Sequence, residues 1–160
     1  MADSIRQKIV DAVVTRFKTI LVAGGYETNL GQKVFVWRDT REDADPFGDT
    51  ELPALNIRDT KCETQYSAIA TQRHQHRLTV EVELWTITAT VHTQVRKLIA
   101  DIHKAIGVDR RWEVAGVKLA DNTEPFQDEM GTEHKGKLKG GALFKFIVVY
   151  STRAWDPYTQ

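Results

Sequence analysis

The chain has 160 residues, with 22 Lys and Arg against 22 Asp and Glu, so its formal net charge is zero and no overall field would draw it to nucleic acid or an anionic membrane. Its length fits one domain, its single cysteine excludes an internal disulfide, and its longest aliphatic and aromatic run, residues 146–150, is too short to cross a bilayer. The first eight residues include charged side chains and no apolar run, so we expect no signal peptide.

The first predicted element is an amphipathic helix that Asp3 or Ser4 caps and that Gly24 and Gly25 end. Its apolar residues recur at helical spacing and form one stripe: Ile5, Ile9, Val13, Phe17, Ile20 and Leu21. After a turn, residues 34–37 are apolar on both sides of a predicted strand. That pattern indicates an interior strand of a sheet.

Residues 39–53 are rich in acidic side chains and follow neither the helical nor the strand period. We interpret them as a long exposed loop that is mobile in the free protein. A short strand is predicted over residues 54–58, and a polar loop is predicted from there to residue 75.

The central prediction is a strand over residues 73–89 with one buried face, formed by Leu78, Val80, Val82 and Leu84. From Thr90 the apolar spacing becomes helical, and Gly107 is predicted to end this second helix in the left-handed conformation. Residues 114–119 are predicted to form another short strand, and Pro125 to break the chain before Phe126. The last strand, residues 142–150, is the natural antiparallel neighbour of the central strand.

These elements predict an α+β fold: a mixed, mostly antiparallel sheet with two amphipathic helices packed on one face. A single domain spans residues 1–160. It includes the exposed acidic loop at 39–53, a basic, glycine-rich hairpin at 131–141 and a C-terminal tail at 153–160.

Two stretches resemble ligand-binding motifs but lack an essential residue. Residues 131–137 match a phosphate-binding loop, yet Leu138 replaces the Ser or Thr whose hydroxyl would hold magnesium. Residues 43–54 partly match a calcium loop, with Phe47 and Ala54 at positions that need oxygen ligands. We therefore predict neither nucleotide nor calcium binding.

The remaining candidates for catalysis or metal binding are also incomplete. His74 and His76 share one face of the predicted strand, but no third ligand is visible, so we interpret them as solvated side chains. Glu81 and Glu83 could form an acid and base pair, yet their position favours a wet sheet face. Cys62 is interpreted as a half-buried filler. The sequence therefore predicts no catalytic residue, no metal ligand, no cofactor and no enzyme activity.

Charged and aromatic residues outside the predicted core indicate contact surfaces. The acidic loop and the basic hairpin are opposite charge poles, although the hairpin could also be a flexible solvated turn. The aromatic residues of the tail lie in a segment too short to form a core, so they either fold back on the domain or dock on a neighbour. The candidate subunit or partner interface consists of Asp39, Arg41, Glu42, Asp43, Asp45, Lys135, Lys137, Lys139, Trp155 and Tyr158.

Several stretches taken together resemble a known family. They are the first helix ending at Gly24 and Gly25 and the segments 31–35, 52–57, 80–84, 98–106 and 149–157. Over nearly its whole length the chain resembles the tail terminator and minor tail proteins of long-tailed bacteriophages, the family of the lambda tail terminator. The resemblance implies a structural virion protein, assembled in the cytoplasm of the bacterial host and located in the virion tail.

The resemblance also implies a function and its partners. As a phage tail terminator, the chain would form a ring of six copies that caps the tail tube and joins the tail to the head connector. Its partners would be other copies of itself, the tail tube protein and the head–tail connector protein, with no membrane and no sequence-specific nucleic acid. The alternatives are another phage neck or tail-completion ring protein, a small nucleic-acid-binding module, or an enzyme.

A closed ring needs two unlike lateral patches on each subunit. We predict that the acidic loop of one subunit lies near Lys135, Lys137 and Lys139 of its neighbour, because these are the strongest opposite local charges. Charge would then set the orientation of the subunits, while apolar burial carries the affinity.

Overall fold

The computed structural model describes residues 3–38, 47–66, 72–134 and 138–160, with the backbone alone at 132–134. Its helices are α1 (Ile5–Phe17) and α2 (Val91–Val108). Its strands are β1 (Val34–Val36), β2 (Ala54–Tyr66), β3 (Arg73–Ile87), β4 (Glu113–Val114), β5 (Val117–Lys118), β6 (Asn122–His134) and β7 (Leu138–Arg153). Single 3-10 turns lie at Val22–Gly24, Leu30–Gln32 and Asp49–Glu51.

One five-stranded sheet, in the order β1-β2-β3-β7-β6, organises the chain. β1 and β2 are parallel, while β2, β3, β7 and β6 pair in antiparallel fashion. β4 and β5 form a separate hairpin. The predicted α+β class is confirmed, and so is the pairing of the central strand with the last one, which runs from Arg73↔Arg153 to Ile87↔Lys139.

Both helices contribute to one core with the same face of the sheet. Phe17 of α1 meets Phe146 of β7 with ring centroids 6.3 Å apart, and α2 adds Leu98 and Ile102. The alternation predicted for β3 is confirmed, since all four even-numbered apolar residues from Leu78 to Leu84 are fully buried. We call this side the covered face and the opposite side, where residues such as Glu81 lie, the outer face.

Ser4 caps α1, as one of the two predicted caps, but both predicted C-terminal helix ends are wrong. α1 ends at Phe17 instead of reaching Gly24, because the chain turns to meet the segment around Gly31: the Gly31 N–H donates to Ile20 O at 2.8 Å. A Cβ at Gly31 would lie 2.6 Å from the carbonyl oxygens of Phe17 and Lys18, so only glycine fits there. Gly107 lies inside α2, which continues to Val108.

The predicted interior strand is an edge strand. β1 pairs on one side with β2 and has no strand on its other side among the described residues, and Val36 is 43% exposed. The strand still contributes an apolar contact, because the ring of Phe35 lies 5.5 Å from that of Phe47. Phe47 is fully buried, so the described end of the predicted acidic loop contributes to packing.

Three further predictions about the strands are wrong. The polar stretch after residue 58 is not a loop: β2 continues to Tyr66 and β3 begins at Arg73, and β2 beyond Asp59 is largely exposed. Pro125 lies within β6, beside a bulge between Pro125 and Gln127. The predicted strand at 114–119 is instead the β4–β5 hairpin, whose turn residues Ala115 and Gly116 both have positive φ.

Candidate assembly surfaces

Ion pairs between neighbouring strands line the outer face. Arg58 of β2 pairs with Glu83 of β3 at 2.8 Å, and Lys145 of β7 pairs with Glu81 of β3 at 3.1 Å. The four side chains are 22% to 24% exposed, so water still reaches them. The two glutamates considered as an acid and base pair therefore lie beside basic partners on adjacent strands.

A shallow cavity of about 350 Å³ adjoins these pairs on the outer face, lined in part by Trp85, Met130 and Leu143. The Trp85 indole N–H donates to the Glu83 carboxylate at 3.1 Å. A Cβ at Gly141 would lie 2.7 Å from Leu84 O and 2.8 Å from the Trp85 ring. The indole thus packs directly on the β7 backbone, and the outer face combines apolar surface with fixed charges.

The predicted acidic loop and basic hairpin meet within one chain. Lys139 Nζ lies 2.7 Å from Asp49 Oδ1, and the Lys139 side chain is 9% exposed. The described ends of the hairpin, Gly131 and Gly141, are a paired position of β6 and β7. The remaining charged residues of the predicted contact lie outside the described residues: Asp39, Arg41, Glu42, Asp43, Asp45, Lys135 and Lys137. That these residues meet between neighbouring subunits stays a prediction.

Arg38 anchors the described end of the acidic segment. Its guanidinium lies 3.0 Å from Glu51 Oε1 and 4.3 Å from the centroid of the Phe35 ring. The hydrogen bond from Arg38 lowers the pKa of Glu51, and the Gly48 N–H adds to the effect. Buried Asn56 accepts the Arg38 backbone N–H and donates to its carbonyl, both at 3.0 Å. The segment is thereby attached to the beginning of β2.

The C-terminal tail folds back on the domain. The Ile5 N–H donates to Pro157 O at 2.9 Å, so the tail meets the N-terminus of α1. Asp156 closes a turn by accepting hydrogen bonds from the Tyr158 N–H at 3.0 Å and the Thr159 hydroxyl at 2.7 Å. These bonds, that of Thr159 first, lower the pKa of the Asp156 carboxyl. The tail is a defined turn and not a free end.

Trp155 stands out from this turn. Its backbone has a φ of +60°, a left-handed conformation that residues other than glycine rarely adopt. Its ring meets the His74 ring edge-on at 5.0 Å, yet the residue is 88% exposed. Tyr158, in the same turn, is 50% exposed. The tail thus folds back on the domain, which is one of the two predicted outcomes. Its tryptophan nevertheless stays outside the core.

The prediction that both strand histidines are solvated is wrong for His74, and His76 is half-buried. His74 is buried, and the His76 ring stacks on the Tyr150 ring at 4.7 Å. Each ring nitrogen of His76 lies 2.9 Å from a threonine hydroxyl, of Thr64 on one side and Thr152 on the other. Burial, and secondarily the nearby His74, lowers the pKa of His76. Because a hydroxyl both donates and accepts, this arrangement suits a neutral imidazole.

Near the histidines lies the single cysteine. Cys62 Sγ is 3.9 Å from the Tyr150 hydroxyl, and the residue is half-buried, as predicted. Burial, and then the neighbouring thiol, raises the pKa of Tyr150. The described residues contain no group of three His, Cys, Asp or Glu side chains that could hold a metal ion.

An apolar groove of about 520 Å³ separates α1 from the β4–β5 hairpin. Buried Trp112 forms part of its wall, and the Arg16 guanidinium lies 5.8 Å from the centroid of the Trp112 ring. Val114 and Val117 line it from the hairpin and are 49% and 56% exposed. Sequence reasoning missed this groove by assigning the two valines to one short strand; the Ala-Gly pair between them is the turn signal that would have separated them.

Two long strand edges have no partner strand among the described residues. One is the outer edge of β6, which is 13 residues long. The other belongs to β2, because β1 pairs only with Leu55, Asn56 and Ile57. The Asp59 carbonyl then accepts from the Arg6 guanidinium at 2.9 Å, and the strand from there to Tyr66 has no partner strand on this side among the described residues. Both edges carry a bulge, between Asp59 and Lys61 in β2 and between Pro125 and Gln127 in β6.

Comparison with known proteins adds no family to this description: no family model matches the chain, and no curated protein matches it significantly in sequence. Among the described residues, no helix has the length and apolar character needed to span a membrane.

Proposed function

We propose that this protein is a ring-forming structural subunit of a long-tailed bacteriophage, the tail terminator that caps the tail tube and joins the tail to the head connector. The family resemblance of its sequence suggests this role. The observation that carries it is a pair of long edges at opposite sides of one sheet that have no partner strand among the described residues, β6 on one side and β2 beyond Asp59 on the other.

Free edges present unpaired backbone N–H and C=O groups, which readily pair with another chain. Bulges are one of the devices that keep such edges from pairing indiscriminately, and both edges here contain one. A bulged edge therefore favours a partner whose surface fits the bend in the strand. The two edges therefore supply two unlike lateral surfaces, as a head-to-tail contact requires.

The outer face supports the same role. The pairs Arg58–Glu83 and Lys145–Glu81 hold charges in place on a surface that no helix of the described residues covers. The Trp85 ring beside them adds apolar area. In the ring this face would be an axial or lumenal surface, available to the tube or the connector.

The test combines native mass spectrometry with negative-stain electron microscopy of the purified chain, alone and with polymerised tube protein of the same phage. We expect a closed ring of six copies at one end of each tube. Adding the chain during tube growth should also stop elongation. The matched control replaces the chain with an unrelated α+β protein of similar size.

Two results would count against the proposal in different ways. A chain that stays monomeric with and without tubes is not a ring protein at all. Rings that form but bind no tube end would favour the alternative, another neck or tail-completion ring protein. Failure of the purified chain to form a ring, alone or with tubes, is the result that contradicts the proposal.

A further inference from the structure

We propose that the occupant of the groove between α1 and the β4–β5 hairpin is Trp155 of a second copy of this chain. The inference builds on the proposed ring, for which it names a lateral contact. It begins from two surfaces of one subunit that are lined by different residues: none of the residues lining the groove also lines the cavity beside Trp155.

Trp155 is presented as a preformed knob. The Ala154 N–H donates to Gln72 O at 2.7 Å, and the Asp156 N–H donates to Arg153 O at 3.0 Å, so the backbone is held on both sides of the indole. Its left-handed φ of +60° is thus maintained by the surrounding contacts. Strained backbone of this kind persists only where surrounding contacts hold it, and an 88% exposed indole is a large apolar group in water.

The groove is large enough to admit an indole, and its chemistry suits one. Its volume of about 520 Å³ accommodates an aromatic side chain, and its walls are mainly apolar. Arg16 lies at the Trp112 ring and would meet a second indole, since guanidinium groups stack on aromatic faces. The carboxylates of Asp11 and Glu113 line the same groove and can accept the indole N–H, which is a donor only.

A knob and a groove on different surfaces of one chain make a heterologous contact. Such a contact repeats from copy to copy and closes into a ring when the rotation between subunits permits. Within one subunit the Trp155 ring rests against His74 of β3 and is not among the residues that line the groove. In a ring of this chain, the neighbouring copy always carries an exposed Trp155, so we take a second copy as the partner.

The experiment uses two variants of the full chain that each destroy one half of the contact. Trp155→Ala removes the knob. Thr15→Arg fills the groove from an exposed position of α1. The control for the first is Val108→Ala, at another exposed apolar residue, and the control for the second is Thr93→Arg, the same change at an exposed position of α2 outside the groove.

Sedimentation velocity and native mass spectrometry then measure the assemblies. Each interface variant should weaken self-association on the order of 30-fold, as the loss of a central tryptophan does in other interfaces. Trp155→Phe should recover most of the association. An equimolar mixture of Trp155→Ala and Thr15→Arg should form a dimer of one copy of each, because one intact groove and one intact knob remain. Circular dichroism verifies that every variant is folded.

The outcomes separate this contact from the ring proposal. If the wild-type chain assembles and both interface variants assemble equally well, the ring stands and the knob-in-groove contact is wrong. If the wild-type chain forms only open chains that depend on Trp155, the contact stands and the ring proposal fails. A wild-type chain that never self-associates contradicts both, and a mixture that gives no mixed dimer contradicts the contact.

Discussion

The covered and outer faces of the sheet are built from the same strands, with opposite chemistry. On β3, Val80 and Val82 are fully buried under the helices, while Glu81 and Glu83 on the other side pair with basic residues. Neighbouring residues of a strand thus belong to two environments. Stability should come from the covered face, because apolar burial contributes far more than half-exposed ion pairs.

The largest expected effect contrasts a phenylalanine buried on the covered face with one that is exposed. Phe146 is fully buried among Phe17, Phe144 and Trp112, whereas Phe126 on β6 is 59% exposed. Phe146→Ala should lower the free energy of unfolding by about 3–5 kcal/mol. Phe126→Ala, the matched control, should change it by about 0.5 kcal/mol or less. Urea denaturation measures both, and equal losses would show that the two faces do not differ as described.

The next effect tests whether the outer face is packed around Trp85. Gly141→Ala places a methyl group against Leu84 O and the Trp85 ring, which should cost about 1–3 kcal/mol of unfolding free energy. At Gly131, its partner on β6, an added methyl group would meet nothing within 4 Å, so Gly131→Ala is the control. If thermal unfolding shows both changes to be neutral, the Trp85 corner is loosely packed.

A smaller effect is expected where the covered face ends at His76. Because the pKa of His76 is lowered in the fold, the unfolded chain binds the proton more readily. Stability from this group is complete above the ordinary pKa of 6.5 and is lost as the pH falls below it toward the lowered value. His76→Gln should flatten this pH dependence of the urea midpoint, whereas His92→Gln, at an exposed position of α2, should leave it unchanged.

The smallest effect concerns the ion pairs of the outer face. A double-mutant cycle with Glu81→Ala and Lys145→Ala should give a coupling energy of about 0–1 kcal/mol, because both side chains remain partly hydrated. Added salt should reduce it further. A coupling above about 2 kcal/mol, measured by chemical denaturation, would mean that the outer face stabilises the fold much more than this comparison allows.

Local periodicity was enough to predict the class of fold and the central elements. The alternation from Leu78 to Leu84 and the helical spacing after Thr90 each report which side of an element is apolar, and burial follows that pattern directly. The two strands of greatest apolar alternation were also correctly predicted to be neighbours, β3 and β7. Trp155 and Tyr158, which we propose as interface residues, are conspicuous in the sequence because they are aromatic residues in a polar tail.

Tertiary structure decided what depends on residues far apart in the chain. α1 stops at Phe17 because Gly31 packs against its last carbonyls, and Phe47 is buried because Phe35 lies beside it, neither of which a local pattern records. The groove exists only where α1 meets the β4–β5 hairpin, about 100 residues later in the chain. Sequence periodicity reports the apolar side of each element, whereas the element that covers it, and any surface left uncovered, depends on how the whole chain packs.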